Sequence, residues 1–363
     1  MNRRKKIWIC SDLWMDILPS FERVELGLKM ALLSDRFDVL VDAHFDGKKE
    51  LTIWKLILIS KEDKGPNAND NLPKAKLSVQ IDGTFVQFPF PDRPLPNKIR
   101  FKDLQIEYID HSVIEFLRSN KQIWDRNGTK LKLWPYKSDD EQPIWDVLAS
   151  VWPIFATNIH HLSFVSGDGL DALCRRISPT ILTDCNQQLN SIEILFLYSD
   201  AIDDDRYDGP STISAAGQML SNWLHTPSKS GQPKRLYCPD YFGRRNFELV
   251  NNLKEAFHRA TSSASYIIRI DRVRAIPTEP FESVNERTKE KLTLASVSLY
   301  DDVYVLLKRC PISEKAAIQW ENDEKLDGNL NNVQIELKRG HRSIGPLSPS
   351  TEEKADQSIE NVV

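Results

Sequence analysis

The residues best suited to chemistry in this 363-residue chain are two adjacent histidines and an acidic run. His160 and His161 fall inside a predicted strand, where neighbouring side chains point to opposite faces, so the two rings cannot jointly hold one metal ion. The acidic run lacks the alternating spacing and terminal glutamate of a calcium loop. Its members are Asp200, Asp203, Asp204, Asp205 and Asp208. We expect a solvated loop there, with a patch for a basic partner segment as the alternative.

Sequence motifs for catalysis or cofactor binding are missing from the chain. No G-x-S-x-G, G-x-x-x-x-G-K-[ST] or H-E-x-x-H occurs, and Gly167-Asp168-Gly169 lacks the third glycine of a dinucleotide loop. The five cysteines are scattered, and none forms a C-x-x-C pair or has a histidine at zinc-finger spacing. We therefore expect no enzymatic activity, no metal, no cofactor, and mostly buried, reduced cysteines.

The composition excludes further classes of protein. A net charge of -4 and a pI near 6.0 argue against a general binder of nucleic acid or of membrane surfaces. No apolar run approaches the ~20 residues of a transmembrane helix, and the basic N-terminus is not followed by the apolar stretch of a secretory signal. We expect a cytoplasmic or nuclear protein, or one present in both compartments.

Residues 8–45 contain the highest density of apolar side chains in the chain. The pattern predicts a first helix capped by Ser11 and closed by Pro19, a second stretch that is apolar on nearly every face, and a third helix starting at Ser34-Asp35. Units of about 40 residues seldom stabilise themselves. Some of these side chains must therefore face the rest of the chain or another protein.

The order of residues in this segment carries a family resemblance. Positions 8–19 read WICSDLWMDILP and positions 26–41 read LGLKMALLSDRFDVLV. Both runs resemble an F-box, although Ile9-Cys10 stand where that family usually has Leu-Pro and Arg36-Phe37 where it has Arg-Trp. Positions 27–45, 94–101 and 307–312 look more specifically like the expanded F-box proteins of plant-parasitic nematodes.

The resemblance implies a three-helix unit that docks onto Skp1, the linker protein that joins F-box proteins to a cullin in an SCF-type E3 ubiquitin ligase. The C-terminal domain would then bind a protein substrate, and the chain would act as a non-enzymatic adaptor. The implied docking residues are Ile9, Trp14, Ile17, Leu18, Pro19, Leu28, Leu32 and Phe37. The alternative is a repeat-type interaction scaffold without a ligase role, in which Trp14 and Leu18 pack against a strand predicted at residues 51–59.

The rest of the chain alternates strand and helix patterns. Residues 77–88 predict a hairpin that turns at Asp82-Gly83. An apolar phrase then recurs, complete at residues 101–106, 159–164 and 192–197 and weaker at 131–133, 236–238, 268–270, 292–294 and 335–337. Helical patterns fill several intervals, the first beginning at Asp110. Such alternation predicts parallel strands joined by helical crossovers.

This phrase resembles a leucine-rich repeat without the asparagines that normally follow each strand. We expect an irregular, leucine-rich-repeat-like α/β domain with a largely parallel sheet, or alternatively a compact α/β domain of the same strand order; either offers a sheet face or edge to a partner. Tryptophans on that face would be binding hot spots. The expected domains are residues 1–46 (F-box-like), 47–97 (strand and hairpin connector), 98–338 (recognition domain, with residues 277–337 capping the sheet) and 339–363 (disordered tail).

Overall fold

The computed structural model describes residues 9–46, 51–61, 74–81, 84–91, 93–96, 99–121, 123, 128–134, 142–184, 188–196, 215–228, 231–239, 245–271, 279–299, 302–312 and 330–337. These residues form helices and thirteen strands, and all of the strands belong to one sheet. The strands are β1 Leu51–Lys61, β2 Lys74–Ile81, β3 Thr84–Pro89, β4 Ile99–Ile106, β5 Thr129–Leu133, β6 Ile159–Ser166, β7 Ser191–Phe196, β8 Lys234–Pro239, β9 Tyr266–Asp271, β10 Phe281–Asn285, β11 Glu290–Leu299, β12 Asp302–Pro311 and β13 Asn331–Ile335. The expected α/β class with a largely parallel sheet is confirmed.

The sheet has a parallel centre and antiparallel margins. Its order is β10-β11-β12-β9-β8-β7-β6-β5-β13-β4-β1-β2-β3, and every pairing from β9 to β1 is parallel. The β2–β3 hairpin pairs Ile81 with Thr84, the register that the Asp82-Gly83 turn predicted. The sheet continues across the boundary expected at residue 97, since β1 pairs with β4.

The helices cover one face of the sheet. Helices α1 Ser11–Ile17, α2 Arg23–Glu25 and α3 Asp35–Asp46 come first; α4 His111–Ser119, α5 Gln142–Phe155, α6 Gly167–Arg176, α7 Ile181–Asp184, α8 Ala215–His225 and α9 Arg245–Arg259 lie between the strands. Among the latter, α4 contacts α5, α5 contacts α6, and α6 contacts α8. Beneath them the strands bury alternate apolar residues such as Leu131, Leu162 and Ile192. Helix α4 starts at Asp110 as expected, because the Asp110 carboxylate accepts a hydrogen bond from Val113 N at 2.9 Å.

The N-terminal helices pack onto the sheet by way of the residues between α2 and α3. Helix α2 continues into a π-helical segment, Leu26–Met30, whose Leu26 and Leu28 are buried in the same core as Leu56 of β1. Lys29 Nζ lies 5.4 Å from the centre of the Phe88 ring of β3. The residue that caps α1 is Cys10 and not Ser11, which is the first helical residue, whereas Ser34 precedes α3 as expected. The helical unit therefore shares a core with the sheet.

The C-terminal strands differ from the expected cap. Strands β10, β11 and β12 do extend the sheet beyond β9, but in antiparallel pairings, so residues 292–294 are not a parallel repeat. Strand β13 lies in the middle of the sheet, parallel to both β4 and β5. Its sequence resembles the other repeats because Val333 and Ile335 are buried like their neighbours. The prediction that all of residues 277–337 cap the sheet is wrong for this strand.

A buried polar cluster joins the ends of α8 and α9 to the sheet. The Glu290 carboxylate Oε2 accepts hydrogen bonds from Arg309 Nε at 3.0 Å and Nη2 at 2.6 Å, and both side chains are buried. Lys234 donates its ammonium protons to the carbonyls of Trp223 and Thr226, where α8 ends. These bonds satisfy carbonyls that a helix end would otherwise leave without partners. They fix how the helices approach the strands.

Candidate protein-binding surfaces

One ring contact and one hydrogen bond to the backbone hold helices α1 and α3 together. The rings of Trp14 in α1 and Phe37 in α3 meet edge to face with centroids 4.8 Å apart. The Arg36 guanidinium donates to the carbonyl of Ile9 just before α1. The Arg-Phe pair at the start of α3 therefore fastens α1 to α3, which accounts for the use of a basic and an aromatic residue side by side.

The residues assigned to docking fall into three groups by exposure. Leu18 and Leu28 are buried, at 0% and 2% exposed, and support the helices from within the chain. Pro19 is exposed in the short turn after α1. The others are partly exposed: Ile9, Trp14, Ile17, Leu32 and Phe37. Their contact with a partner remains a prediction for all three groups.

Sequence reasoning missed three apolar side chains that the helices leave in solvent. Leu13 is 49% exposed, Leu33 is 63% exposed and Val39 is 68% exposed. Each lies beside partly or fully buried apolar residues of its own helical stretch, and the periodic pattern did not single it out. An exposed apolar residue costs little singly, but three in one small unit favour a partner-binding surface. We call Leu13, Leu33 and Val39 the exposed helical residues.

The second candidate surface is the sheet face opposite the crossover helices. Register pairs Lys132 of β5 with Ser163 of β6, Ser163 with Glu193, Glu193 with Tyr237, and Tyr237 with Arg269 of β9. A parallel row two residues earlier contains Lys130, His161, Ser191, Arg235 and Ile267. Directly paired residues share a face. We call the face that carries these two rows the polar face.

A histidine and a glutamate meet at the centre of the polar face. His161 Nε2 lies 3.5 Å from Glu193 Oε2. The pKa of Glu193 is lowered from its ordinary value, first by hydrogen bonding to the His161 ring, and further by the Ser163 hydroxyl and the Lys130 charge, while burial opposes the shift. The carboxylate is therefore held in its charged form.

Aromatic rings flank a cation at the β9 side of the polar face. The guanidinium of Arg269 lies 4.4 Å from the ring centre of Tyr304 in β12 and 5.5 Å from that of Tyr237 in β8. At the β5 end, Trp134 is partly exposed, whereas Trp145, Trp152 and Trp223 are buried in the core. Of the tryptophans in the α/β domain whose side chains the structure describes, Trp134 is therefore the candidate hot spot.

The other end of the polar face is acidic and rich in amides. Asn332 of β13 donates to the Asp103 carboxylate of β4 at 2.8 Å. The amides of Gln105 and Gln334 both donate to Glu336 Oε2, at 3.3 Å and 3.1 Å. This network joins β13 to β4. It places the charge of Glu336 at the end of β13, one strand away from Lys132, and the charge of Asp103 in β4, two strands away from Lys130.

One of the two adjacent histidines, His160, lies in a β-bulge. Thr129 pairs with Ile159 and Lys130 pairs with His161, so His160 is the extra residue between them. Its Nδ1 lies 3.2 Å from the Asn158 carbonyl, while His161 faces Glu193. No group of three or more histidine, cysteine or acidic residues in the described parts of the chain could hold a metal ion. The acidic run at residues 200–208 lies outside the described residues.

Ionisable side chains also converge beside the buried polar cluster. A cavity of about 370 Å³ between the ends of α8 and α9 is lined by His225, Arg259 and Arg309, among others. Burial lowers the pKa of His225, whose Nδ1 donates to the Ser221 carbonyl at 2.8 Å, and burial raises the pKa of Tyr266 nearby. Because Arg309 is paired with Glu290 and His225 is kept neutral, the cluster favours a structural role.

Three of the four described cysteines are buried, as expected of most of them. Cys174, Cys238 and Cys310 are buried free thiols, and Cys10 is exposed; Cys185 lies outside the described residues. Burial raises the pKa of Cys174 to about 12, which keeps the thiol protonated and unreactive.

Comparisons with known proteins add no relatives. No protein-family model matches the chain, and searches of curated proteins and of solved structures gave no significant match. None of the helices in the described ranges has the length and apolar character needed to cross a membrane.

Proposed function

We propose that this protein is a substrate-recognition adaptor of an SCF-type E3 ubiquitin ligase. Its N-terminal helices bind a Skp1-type linker protein, and its α/β domain binds the protein to be ubiquitinated. The chain takes no part in the ubiquitin chemistry and contributes proximity between target and ligase. The F-box resemblance supplies this assignment, and the exposed helical residues are the structural observation that carries it.

The helical unit supports the proposal because its apolar side chains divide into two sets. One set, Leu18, Leu26 and Leu28, is buried in the internal core. The other set, Leu13, Leu33 and Val39, is exposed to solvent. Fully burying three such side chains contributes about 1.5 to 3 kcal/mol each. That gain, with the partly exposed Trp14 and Phe37 beside it, is of the size needed to offset the cost of association.

The α/β domain supports the proposal through its strand order. Strands β5 to β9 lie side by side in chain order, and neighbouring crossover helices contact one another on the opposite face from the polar rows. We propose that these strands form a leucine-rich-repeat-like array, in which the helix-covered face stabilises the domain and the opposite face binds a partner. We propose that the polar face is the target-binding end of the adaptor.

The linker-binding end is tested with single substitutions of exposed residues. We expect the full chain to co-purify with a recombinant Skp1-type linker protein, and Leu33→Asp and Val39→Asp each to weaken the complex at least tenfold, as measured by calorimetry. Val284→Asp is the matched control, because Val284 is 44% exposed and lies at the far edge of the sheet in β10. Equal weakening by Val39→Asp and Val284→Asp contradicts the proposal. Leu18 is unsuitable for this test because its burial makes an aspartate destabilising.

The second candidate function is an interaction scaffold whose N-terminal helices only cap the sheet. The observation that favours it is the burial of Leu18 and Leu28 in a core shared with β1. In that case the wild-type chain does not bind the linker protein, while removal of residues 1–46 exposes Leu56 and Val79 and destabilises the sheet. The same calorimetric experiment therefore separates the two functions.

A further inference from the structure

The polar face carries a positive charge that the whole chain does not. Its described cations from β5 to β12 are Lys130, Lys132, Arg235, Arg269 and Lys308, with Lys308 placed in the second row by its pairing with Ile267. Glu193 is the acidic residue within the two rows, and Asp271 follows two residues after Arg269 in β9, where it pairs with Tyr304. The chain as a whole has a net charge of -4. This part of the face is therefore richer in cations than in anions, whereas the chain as a whole has a slight excess of anions.

The environment of these cations strengthens their effect. Each is partly buried in the wall of the sheet. At the effective dielectric constant of about 20 near a protein surface, two charges interact about fourfold more strongly than in water. The Lys130 charge also contributes to the lowered pKa of Glu193, after the larger effects of hydrogen bonding to His161 and Ser163. A carboxylate brought by a partner meets the same field.

The apolar and aromatic residues of the face indicate a peptide as the occupant. Trp134, Tyr237, Tyr304, Ile267 and Leu306 lie among the cations and are partly exposed. Tryptophan, tyrosine and arginine are the residues most enriched in protein–protein hot spots. A nucleic acid is less suited to this face, because it has no aliphatic side chain to pack against Ile267 and Leu306.

The width of the basic region sets the length of the occupant. From β5 to β12 the sheet crosses six strands, β5-β6-β7-β8-β9-β12. Strands are spaced about 4.8 Å apart and an extended chain advances about 3.3 Å per residue, so the region spans about 24 Å, or about seven residues. The acidic end at Asp103 and Glu336 repels further carboxylates and limits the segment on that side.

We propose that the polar face between β5 and β12 binds an extended acidic segment of the target protein, about seven residues long, with carboxylates opposite Lys130, Lys132, Arg235 and Arg269 and an apolar side chain against Trp134 or Tyr304. This inference rests on the proposed function in that the target-binding end is the polar face. It adds the chemistry of the segment that is recognised.

The proposal is tested by fluorescence anisotropy with the full chain and no linker protein. The probes are a labelled ten-residue peptide of glutamates and aspartates around one phenylalanine, the same peptide with glutamines and asparagines, and a ten-nucleotide single-stranded DNA. We expect the acidic peptide to bind at least tenfold more tightly than both other probes, and its affinity to fall as salt rises from 50 to 300 mM.

Charge variants locate the site. Lys130→Glu/Lys132→Glu is expected to weaken binding of the acidic peptide at least tenfold, and Lys130→Gln/Lys132→Gln about threefold to fivefold. The control Arg118→Glu/Arg175→Glu makes the same change in net charge at exposed positions on α4 and α6. If Lys130→Glu/Lys132→Glu does not fold, the affinity of Lys130→Gln/Lys132→Gln and the salt dependence of wild-type binding still test the proposal.

Three results overturn the proposal: equal binding of the acidic and the amide peptide, tighter binding of the DNA, or equal loss in the control variant. Because the assay contains no linker protein, its failure leaves the linker-binding end intact. Conversely, absence of linker binding in the calorimetric experiment leaves this assay unaffected.

Discussion

Single buried charges show how the chain fixes its helices to the sheet. Glu290 accepts two hydrogen bonds from Arg309 through Oε2 and one from Ala264 N, at 2.9 Å, through Oε1. Arg309 Nη2 also donates to the Ser262 carbonyl at 2.9 Å, beyond the end of α9. A buried pair with this many bonds stabilises little in total, but removal of one partner leaves a buried charge uncompensated.

We expect Glu290→Gln to lower the free energy of unfolding by about 3 to 5 kcal/mol, as measured by urea denaturation, because Arg309 then lacks its counter-charge. The exposed pair of Glu286 and Lys289, 2.9 Å apart, gives the matched control: Glu286→Gln should cost about 0 to 1 kcal/mol. The double variant Glu290→Leu/Arg309→Leu should be more stable than Glu290→Gln. Equal effects of the two single variants would show that the buried pair carries no such role.

At the scale of elements, β5 depends on the glycine that precedes it. Gly128 has a positive φ of 76°, and a Cβ at this position would lie 2.4 Å from Nδ1 of the His160 ring. His160 is the bulged residue of β6, so the glycine and the bulge fit one another. The backbone before this strand therefore needs glycine both for its conformation and for space.

We expect Gly128→Ala to destabilise the protein by more than Gly231→Ala. Gly231 also has a positive φ, of 70°, but a Cβ there meets nothing within 4 Å, so its alanine variant costs only about 1 kcal/mol for the backbone. Gly128→Ala adds the clash with His160 to the same backbone cost. Thermal unfolding of both variants measures the difference, and His160→Ala in the Gly128→Ala background should recover part of it. Equal melting temperatures of the two glycine variants would contradict this expectation.

The sequence predicted the individual strands and helices better than it predicted which strands lie next to each other in the sheet. Strands such as β4 and β6 were predicted because Leu104 and Ile106, or Leu162 and Phe164, alternate with polar residues, and α4 because Asp110 caps it. The position of β13 was not predicted, because Val333 and Ile335 give the same alternation in any place in a sheet. The polar face was missed for a related reason: Lys130, Glu193 and Arg269 are far apart in sequence, and only register brings them into adjacent rows.

At the scale of the whole molecule, the C-terminal strand holds the two halves of the sheet together. Strand β13 is bonded on one side through Glu336 N to the Ile106 carbonyl at 2.8 Å. On the other side Asn331 N donates to the Gly128 carbonyl and Trp134 N to the Ile335 carbonyl, both at 2.9 Å. Strands β1 to β4 therefore meet strands β5 to β12 through a segment from near the end of the sequence.

We expect a chain that ends at residue 337 to unfold at nearly the same temperature as the full chain, and a chain that ends at residue 329 to lose cooperative unfolding. The shorter chain lacks the buried Val333 and Ile335 and the ladder on both sides of β13, a loss comparable to the total stability of a domain. Circular dichroism melting of both chains is the measurement. Cooperative unfolding of the shorter chain near the wild-type temperature would contradict the role given to β13.

The central position of β13 also means that the sheet cannot be completed until late in translation. Roughly 200 residues separate the end of β5 from the end of β13, which at 5 to 20 residues per second amounts to about 10 to 40 s of translation. During that interval the facing edges of β4 and β5 are made but have no strand between them, and such edges readily pair with other chains. A nascent chain of this protein therefore needs protection of those edges until β13 leaves the ribosome.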